Sequence, residues 1–267
     1  MAKKEKGAPL ALLNFEKEGI TPFYYDMTDS TNKRAREFAF ENQNNIHTPA
    51  IFIAGGQTEG RGRMGRSFYS PAKSGLYMTL LIPFPSAHGE FACITSLCAV
   101  SVADAIFETS GVSVKIKWVN DIYLEDKKIA GILAESFEVG EKRYIALGIG
   151  VNISTRKFPE ELSSKAASLF EDKKVKYGEF RFKLALAISK NLLTSLKASY
   201  ASDYMDRYRK LSCVIGKRIS FLRNSSMTEG IAENVTDTGA LCVRLDSGEL
   251  IELSSGEISI FVEKGQI

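Results

Sequence analysis

The chain has 267 residues, 44% of them apolar and 25% charged, which suits a water-soluble globular protein with one large domain or a medium domain plus a small one. A net charge of +3 is too small to argue by itself for nucleic acid, and no apolar stretch reaches the ~20 residues that a bilayer-spanning helix needs. Neither a nucleic-acid nor a membrane partner is therefore expected. Cys93, Cys98, Cys213 and Cys242 show no C-x-x-C spacing, and with only His47 and His88 beside them no zinc site is expected. Reduced thiols and a cytoplasmic location follow, since the charged start Met1 to Gly7 leads into no signal-peptide apolar region.

In chain order, Met1 to Ile20 reads as a short helix or a frayed arm. Asp29 or Ser30 can cap a helix reaching Asn42, with Ala35, Phe38 and Ala39 on one face. Ala50 to Ala54 is a short buried strand. Gly75 to Ile82 is the next strand, closed by Pro83 and Pro85. Phe91 to Thr109 is an apolar helix stopped by Gly111. Three strands follow, Val114 to Val119, Lys128 to Val139 and Arg143 to Ile153, the last two preceded by polar turns at Glu125-Asp126-Lys127 and Gly140-Glu141. Both faces of these strands are apolar, so helices should cover the sheet on at least one side. A helix over Glu179 to Tyr200 runs on towards Asp203 to Leu211.

From Val214 the texture changes to short strands: Arg218 to Leu222, Gly230 to Val235, Ala240 to Leu245 and Leu250 to Leu253. Their spacing and the Asp246-Ser247-Gly248 turn suit a small β-barrel. The expected architecture is α+β, with a mixed or antiparallel sheet covered by helices over 1–212 and a small barrel over 213–267.

Between the first two strands lies Gly60-Arg61-Gly62-Arg63-Met64-Gly65-Arg66, three guanidinium groups and three glycines in seven residues. Arginine forks match carboxylate and phosphate oxygens, and glycines let an anion approach backbone N–H groups. Glycines at 60, 62 and 65 fit G-x-G-x-x-G, but no helix opens there: Pro71 and Gly75 break the chain and a strand follows. A Walker-type phosphate loop is absent. The lysine pairs Lys127-Lys128 and Lys173-Lys174, further along the chain, add local positive charge.

Three further segments join this loop. Asp29-Ser30-Thr31-Asn32 stands at a helix N-terminus. Lys117-Trp118-Val119-Asn120-Asp121 ends a strand with a cation, an amide and a carboxylate. Lys128-Ile129-Ala130-Gly131-Ile132-Leu133 carries a lysine into a buried strand. Singly, each has a plainer reading: a helix cap, a core tryptophan, a lysine snorkelling to solvent.

Together, in this order, they resemble the biotin protein ligases. The pattern is D-S-T-N at Asp29 to Asn32, Q-x-x-G-R-G-R-x-G-R from Gln57 to Arg66, and S-P at Ser70-Pro71. It continues as K-W-x-N-D at Lys117 to Asp121, K-K-I-A-G-I-L at Lys127 to Leu133, and G-I-G-V-N-I at Gly148 to Ile153, with Gly256-Glu257-Ile258-Ser259 near the end. The resemblance implies a class II synthetase-like catalytic domain and an SH3-like C-terminal barrel. It implies ATP, Mg2+ and biotin as ligands, and a biotin carboxyl-carrier protein as partner. It also allows a homodimer, because related enzymes pair through the catalytic sheet. The short stretch before Asp29 leaves no room for a helix-turn-helix module, so the resemblance is to the monofunctional form.

The implied reaction forms biotinyl-5′-adenylate from biotin and ATP, then passes the biotinyl group to a carrier lysine. It needs charge neutralisation and alignment of two anions, and no enzyme nucleophile. By resemblance, Ser30, Thr31, Asn32 and Gln57 would hydrogen-bond biotin. Arg61, Gly62 and Arg63 would close over it, and Gly131 would leave space for its rings. Lys128 and Arg63 would carry the chemistry. Arg63, Arg66, Phe68, Lys117, Asn120 and Asn152 would take the nucleotide, and Asp121 a magnesium ion. Phe68 and Val119 stand where the family usually has tryptophan and proline; phenylalanine can still stack on adenine, with less area. Lipoate ligation is the nearest enzyme rival, but the R-R-x-x-G-G-G loop of those enzymes is missing. A non-catalytic biotin-binding protein would need no such set of cations.

Overall fold

Two sheets organise the chain, and the computed structural model describes residues 10–42, 45–84, 91–171, 177–197 and 203–261. The larger sheet has seven strands. Its spatial order is β1 (Thr21–Tyr25), β2 (Ala50–Ala54), β3 (Gly75–Phe84), β7 (Lys142–Asn152), β6 (Lys127–Val139), β5 (Asp121–Leu124) and β4 (Lys115–Lys117). β1 and β2 are parallel, joined by the crossover helix α2 (Thr31–Asn42), and the other neighbours are antiparallel. The sheet is therefore mixed, and the fold is α+β.

Period-two alternation builds a core on each side of this sheet. In β2, Ile51 and Ile53 face one core while Ala50 and Phe52 face the other. The larger core lies under α3 (Phe91–Ser110) and α5 (Tyr177–Lys197), with α1 (Leu13–Lys17) and α6 (Asp203–Leu211) beside them. The smaller core lies under α2, where Phe23 stacks on Phe52 at 4.8 Å. Within α3, Cys93–Ser110 is long and apolar enough to cross a bilayer, yet Ile94, Leu97, Val102 and Ile106 are buried in the larger core.

The second sheet is antiparallel. It runs β11 (Leu250–Leu253), β10 (Leu241–Leu245), β9 (Ser226–Val235), β8 (Arg218–Arg223) and β12 (Ile258–Ile260). The end of β9 and the turn after it dock on the larger unit: Trp118 Nε1, in the turn after β4, donates to Gly239 O at 2.9 Å, and Arg209 Nε of α6 donates to Val235 O at 2.7 Å. Arg209 also pairs with Asp237.

Several elements differ from the sequence reading. β1 was not foreseen, because its five residues TPFYY show no alternation strong enough to stand alone. The strand expected over Val114 to Val119 is only Lys115–Lys117. The chain then turns, with a cis Trp118–Val119 peptide, and returns as β5, leaving Asn120 in the turn. β9 starts four residues before Gly230, the short helix α4 (Glu160–Ser163) was not foreseen, and β12 returns to β8. Met1 to Pro9, Pro85, Lys173-Lys174 and the end of the α5 reading at Tyr200 lie outside the described residues.

Candidate active site

β2 delivers the chain at Ala54 into a loop that returns at Gly75, and the two limbs are paired along their length. Lys73 N donates to Gly55 O at 3.0 Å, Gln57 N to Ser70 O at 3.0 Å and Phe68 N to Gly60 O at 2.8 Å. At the tip, Gly62 N donates to Arg66 O at 2.7 Å, and Met64 and Gly65 turn the chain with φ of 55° and 74°. The arginine run is thus a folded ribbon.

Beneath it lies a cleft of about 470 Å³, its open mouth included. The floor is bare backbone. Gly131 of β6 and Gly150 of β7 are register partners, and Gly148 lies two residues along. A methyl on Gly150 would come within 2.5 Å of the Phe68 ring, which lies on this floor. Met78, Ile132, Leu133 and Ile149 supply the apolar lining.

One wall is the start of α2. Ser30, Thr31 and Asn32 line the cleft although each is at least nine-tenths buried. Gln57 Oε1 accepts from Thr31 N at 2.8 Å and from the Thr31 hydroxyl at 3.1 Å, while Gln57 Nε2 donates to Ser70 Oγ at 3.0 Å. The fully buried Thr79 hydroxyl donates to Asn32 Oδ1 at 2.6 Å and lies 2.8 Å from the Thr31 hydroxyl. Asn32 Nδ2 in turn donates to Glu135 at 2.7 Å. Thr79 and Glu135 were missed in the sequence. Glu135, the carboxylate that interrupts the apolar stretch Ile129 to Phe137 of β6, was the available signal. Just outside this wall, burial would raise the Asp29 carboxyl, but hydrogen bonds from Lys33, the Ser30 amide, Thr28 and Arg34 outweigh it and hold Asp29 well below the usual range.

The charged side chains lining the cleft among the described residues are Arg61, Arg63 and Lys128, all cations. Arg63 Nη1 donates to Asn120 Oδ1 at 3.0 Å, and Asn120 Nδ2 donates to Ile132 O at 2.9 Å, so the turn after β4 buttresses the ribbon. Lys128 Nζ pairs with Asp121 at 2.7 Å. A register shift between Ile122 and Tyr123 occurs where Lys128 pairs across β5, and its backbone also bonds to Lys165 and Ala167.

Eleven of the sequence candidates share this cleft: Ser30, Thr31, Asn32, Gln57, Arg61, Gly62, Arg63, Phe68, Asn120, Lys128 and Gly131. Four do not line it. Asp121 lies behind Lys128. Arg66 is exposed and pairs with Glu257, just before β12. Asn152 is buried, its Nδ2 donating to Ala167 O at 3.1 Å. Lys117 is half-buried 5.5 Å from the Tyr123 ring; burial lowers its pKa, against the pull of Asp121 and Cys213.

Two family models match the chain: the biotin/lipoate A/B protein ligase family over residues 24–152, and the biotin protein ligase C-terminal domain over residues 214–260. The chain belongs to the biotin protein ligase family. The first match runs from β1 to the end of β7 and so carries every residue lining the cleft; the second covers the smaller sheet. The bifunctional ligase/repressor BirA of Bacillus subtilis is 37% identical over 160 residues, which are 59% of this chain and 48% of that protein. The chain thus spans about half the length of the first curated relatives it matches. The biotin–[acetyl-CoA-carboxylase] ligase of Mycobacterium tuberculosis is 27% identical over 223 residues, 78% of this chain and 77% of that one. Among solved structures, a biotin protein ligase from Aquifex aeolicus in complex with biotin and ATP superposes with a TM-score of 0.74. It is 26% identical, over 91% of this chain and 99% of that chain.

Proposed function

We propose that this ligase-family chain condenses biotin with ATP to biotinyl-5′-adenylate and transfers the biotinyl group to a lysine of a biotin carrier, such as the acetyl-CoA carboxylase carrier subunit. The observation that carries the reading is the convergence of Arg61, Arg63 and Lys128, with no carboxylate among the described lining residues, above a glycine floor. Two mutually repelling anions, a carboxylate and a triphosphate, need such a cationic frame; a neutral ligand alone does not.

In the first step a biotin carboxylate oxygen attacks the α-phosphorus, the bond to the bridging oxygen breaks, and pyrophosphate leaves. Lys128 neutralises charge growing at that centre, and Arg63, braced by Asn120, holds the phosphate and carboxylate in line. Ser30, Thr31 and Asn32 meet the polar end of biotin, with Gln57 and Thr79 holding them in place. Gly131 would leave room on the sheet for the rings of biotin, while Gly150 makes room for the Phe68 ring. In the second step a carrier amine attacks the acyl carbon and AMP leaves.

Magnesium, when bound, would neutralise phosphate charge. Asp121, the carboxylate paired with Lys128 at 2.7 Å, is the hard oxygen donor that would hold it, and Asn152 would meet the nucleotide. Arg66 and Lys117 stand outside the cleft, where they would meet the far phosphates. We take residues 213–267 as the second domain. Cysteines unpaired among the described residues suit the cytoplasm.

The test is the intact mass of an apo biotin-carrier domain after incubation with the protein, Mg-ATP and equimolar biotin and lipoate. A single biotinyl increment is expected. A lipoyl increment, or no increment and no AMP, overturns the reading.

A further inference from the structure

Arg181 of α5 is buried to 6% exposure, and among the described residues it meets no carboxylate. Its guanidinium lies instead against three aromatic rings, Phe182 at 4.7 Å, Tyr177 at 5.1 Å and Tyr24 at 5.2 Å. Its Nε has no hydrogen-bond partner. A charge taken out of water without a counterion is costly, and ring faces offset only part of that cost. Core packing alone would be served better by a methionine.

The two hydrogen bonds that Arg181 does make are informative because a guanidinium can only donate. Nη1 donates to the Tyr177 hydroxyl at 3.2 Å and Nη2 to the Tyr24 hydroxyl at 3.3 Å. Both phenols therefore accept from Arg181 and turn their own protons away from it. Tyr177 donates to Gly75 O at 2.6 Å, and Tyr24 donates to Asp26 at 3.1 Å. Gly75 is the foot at which the arginine ribbon rejoins the sheet. Asp26 borders the other foot, for its carbonyl faces Gly55, and a methyl on Gly55 would lie 3.2 Å from the Tyr24 hydroxyl. One buried cation thus reaches both feet of the 55–75 loop, from the side of the sheet that carries α5.

The geometry points to Arg181 as a positioning residue for the arginine ribbon: through Tyr24 and Tyr177 it clamps the two feet of the loop that carries Arg61 and Arg63. This rests on the biotin-ligase reading only for what the ribbon holds; the clamp itself is a property of the unliganded chain. The feet are pinned elsewhere too, Tyr77 and Ser74 both donating to Pro71 O at 2.9 and 3.0 Å. Loss of Arg181 should therefore loosen the ribbon without unfolding the sheet.

The test is hydrogen exchange of the unliganded full chain, read by mass spectrometry, for the wild type, R181M, R181K and Y177F. Peptides holding the Gln57 and Phe68 amides should exchange about tenfold faster in R181M and Y177F, the size expected when a charge-assisted hydrogen bond is lost. R181K should recover part of the difference, and peptides of β6 and β7 should be unchanged. Release of biotinyl adenylate should quicken by a similar factor in R181M, with a smaller change in the rate of its formation. Unchanged exchange in the 55–75 loop, with only a lower melting temperature, would overturn the proposal. If R181M does not fold, Y177F, which loses one hydroxyl, decides by the same readout. A wild type that forms no adenylate would sink the biotin reading and leave the exchange result to judge the clamp.

Discussion

Replacing Gly148 with alanine tests the architecture of the cleft wall, because local and tertiary expectations have opposite signs. Gly148 is an extended residue of β7, paired with Thr79 on one side and Leu133 on the other. In an extended strand alanine ordinarily gains about 0.5–1 kcal/mol over glycine by lowering unfolded-state entropy. Here the new methyl would overlap Asn32 Oδ1 and lie 2.9 Å from Asn32 Cγ and 3.0 Å from Nδ2, inside normal contact distance. Asn32 cannot swing aside freely, since it is buried and tied to Thr79 and Glu135. Losing the charge-assisted bond costs about 1.5–3 kcal/mol and the neutral one about 1 kcal/mol, so the net penalty is roughly 2–3 kcal/mol. For a chain of this size that lowers the melting temperature by about 5–10 °C, and the affinity for biotin should fall with it. Thermal unfolding at neutral pH, followed by biotin titration, measures both. In an Asn32→Ala background the same substitution should be nearly neutral, because the obstruction is gone. A Gly148→Ala protein that melts at or above the parental temperature would refute the placement of Asn32 and the network built on it.

Lys128→Ala should fold normally and lose adenylate formation by about 100-fold or more, the cost of removing a charge partner of the transition state; near-parental pyrophosphate release would contradict its role. Arg63→Ala should let biotinyl adenylate escape, seen as intermediate in the filtrate after rapid gel filtration, and full retention would count against the closing ribbon. The depressed Asp29 carboxyl contributes stability that is complete above its unfolded value of about 3.9 and fades as pH falls through the lower folded value. The gap in urea midpoint between wild type and Asp29→Asn should therefore be widest at about pH 7 and clearly smaller, though still open, at about pH 3; an equal gap at both would show that the ion pairs with Lys33 and Arg34 contribute nothing.

Much of the frame was legible because its signals are local. β6 and β7 are apolar runs bounded by polar turns, β3 is an apolar run that continues through Pro83, its expected stop, to Phe84, and α3 is a long apolar stretch stopped by Gly111. β1 was not, since its stability comes from parallel pairing with β2, across the whole of α2. The same distinction holds in the site. The glycines and arginines of the ribbon declare themselves in seven residues, whereas Thr79 and Glu135 matter through their bonds to Asn32, 47 and 103 positions away.

The sequence alone determined the inventory: which cations, amides and glycines are present, and that they suit two anions and no nucleophile. Tertiary structure decided their company. Arg63 and Arg66 stand three residues apart, yet one braces Asn120 inside the cleft and the other pairs with Glu257, which leads into β12 of the second sheet. The physical reason is the tip between them. Met64 and Gly65 take left-handed backbone angles that send the two guanidinium groups to different elements, and only the folded chain brings those elements near.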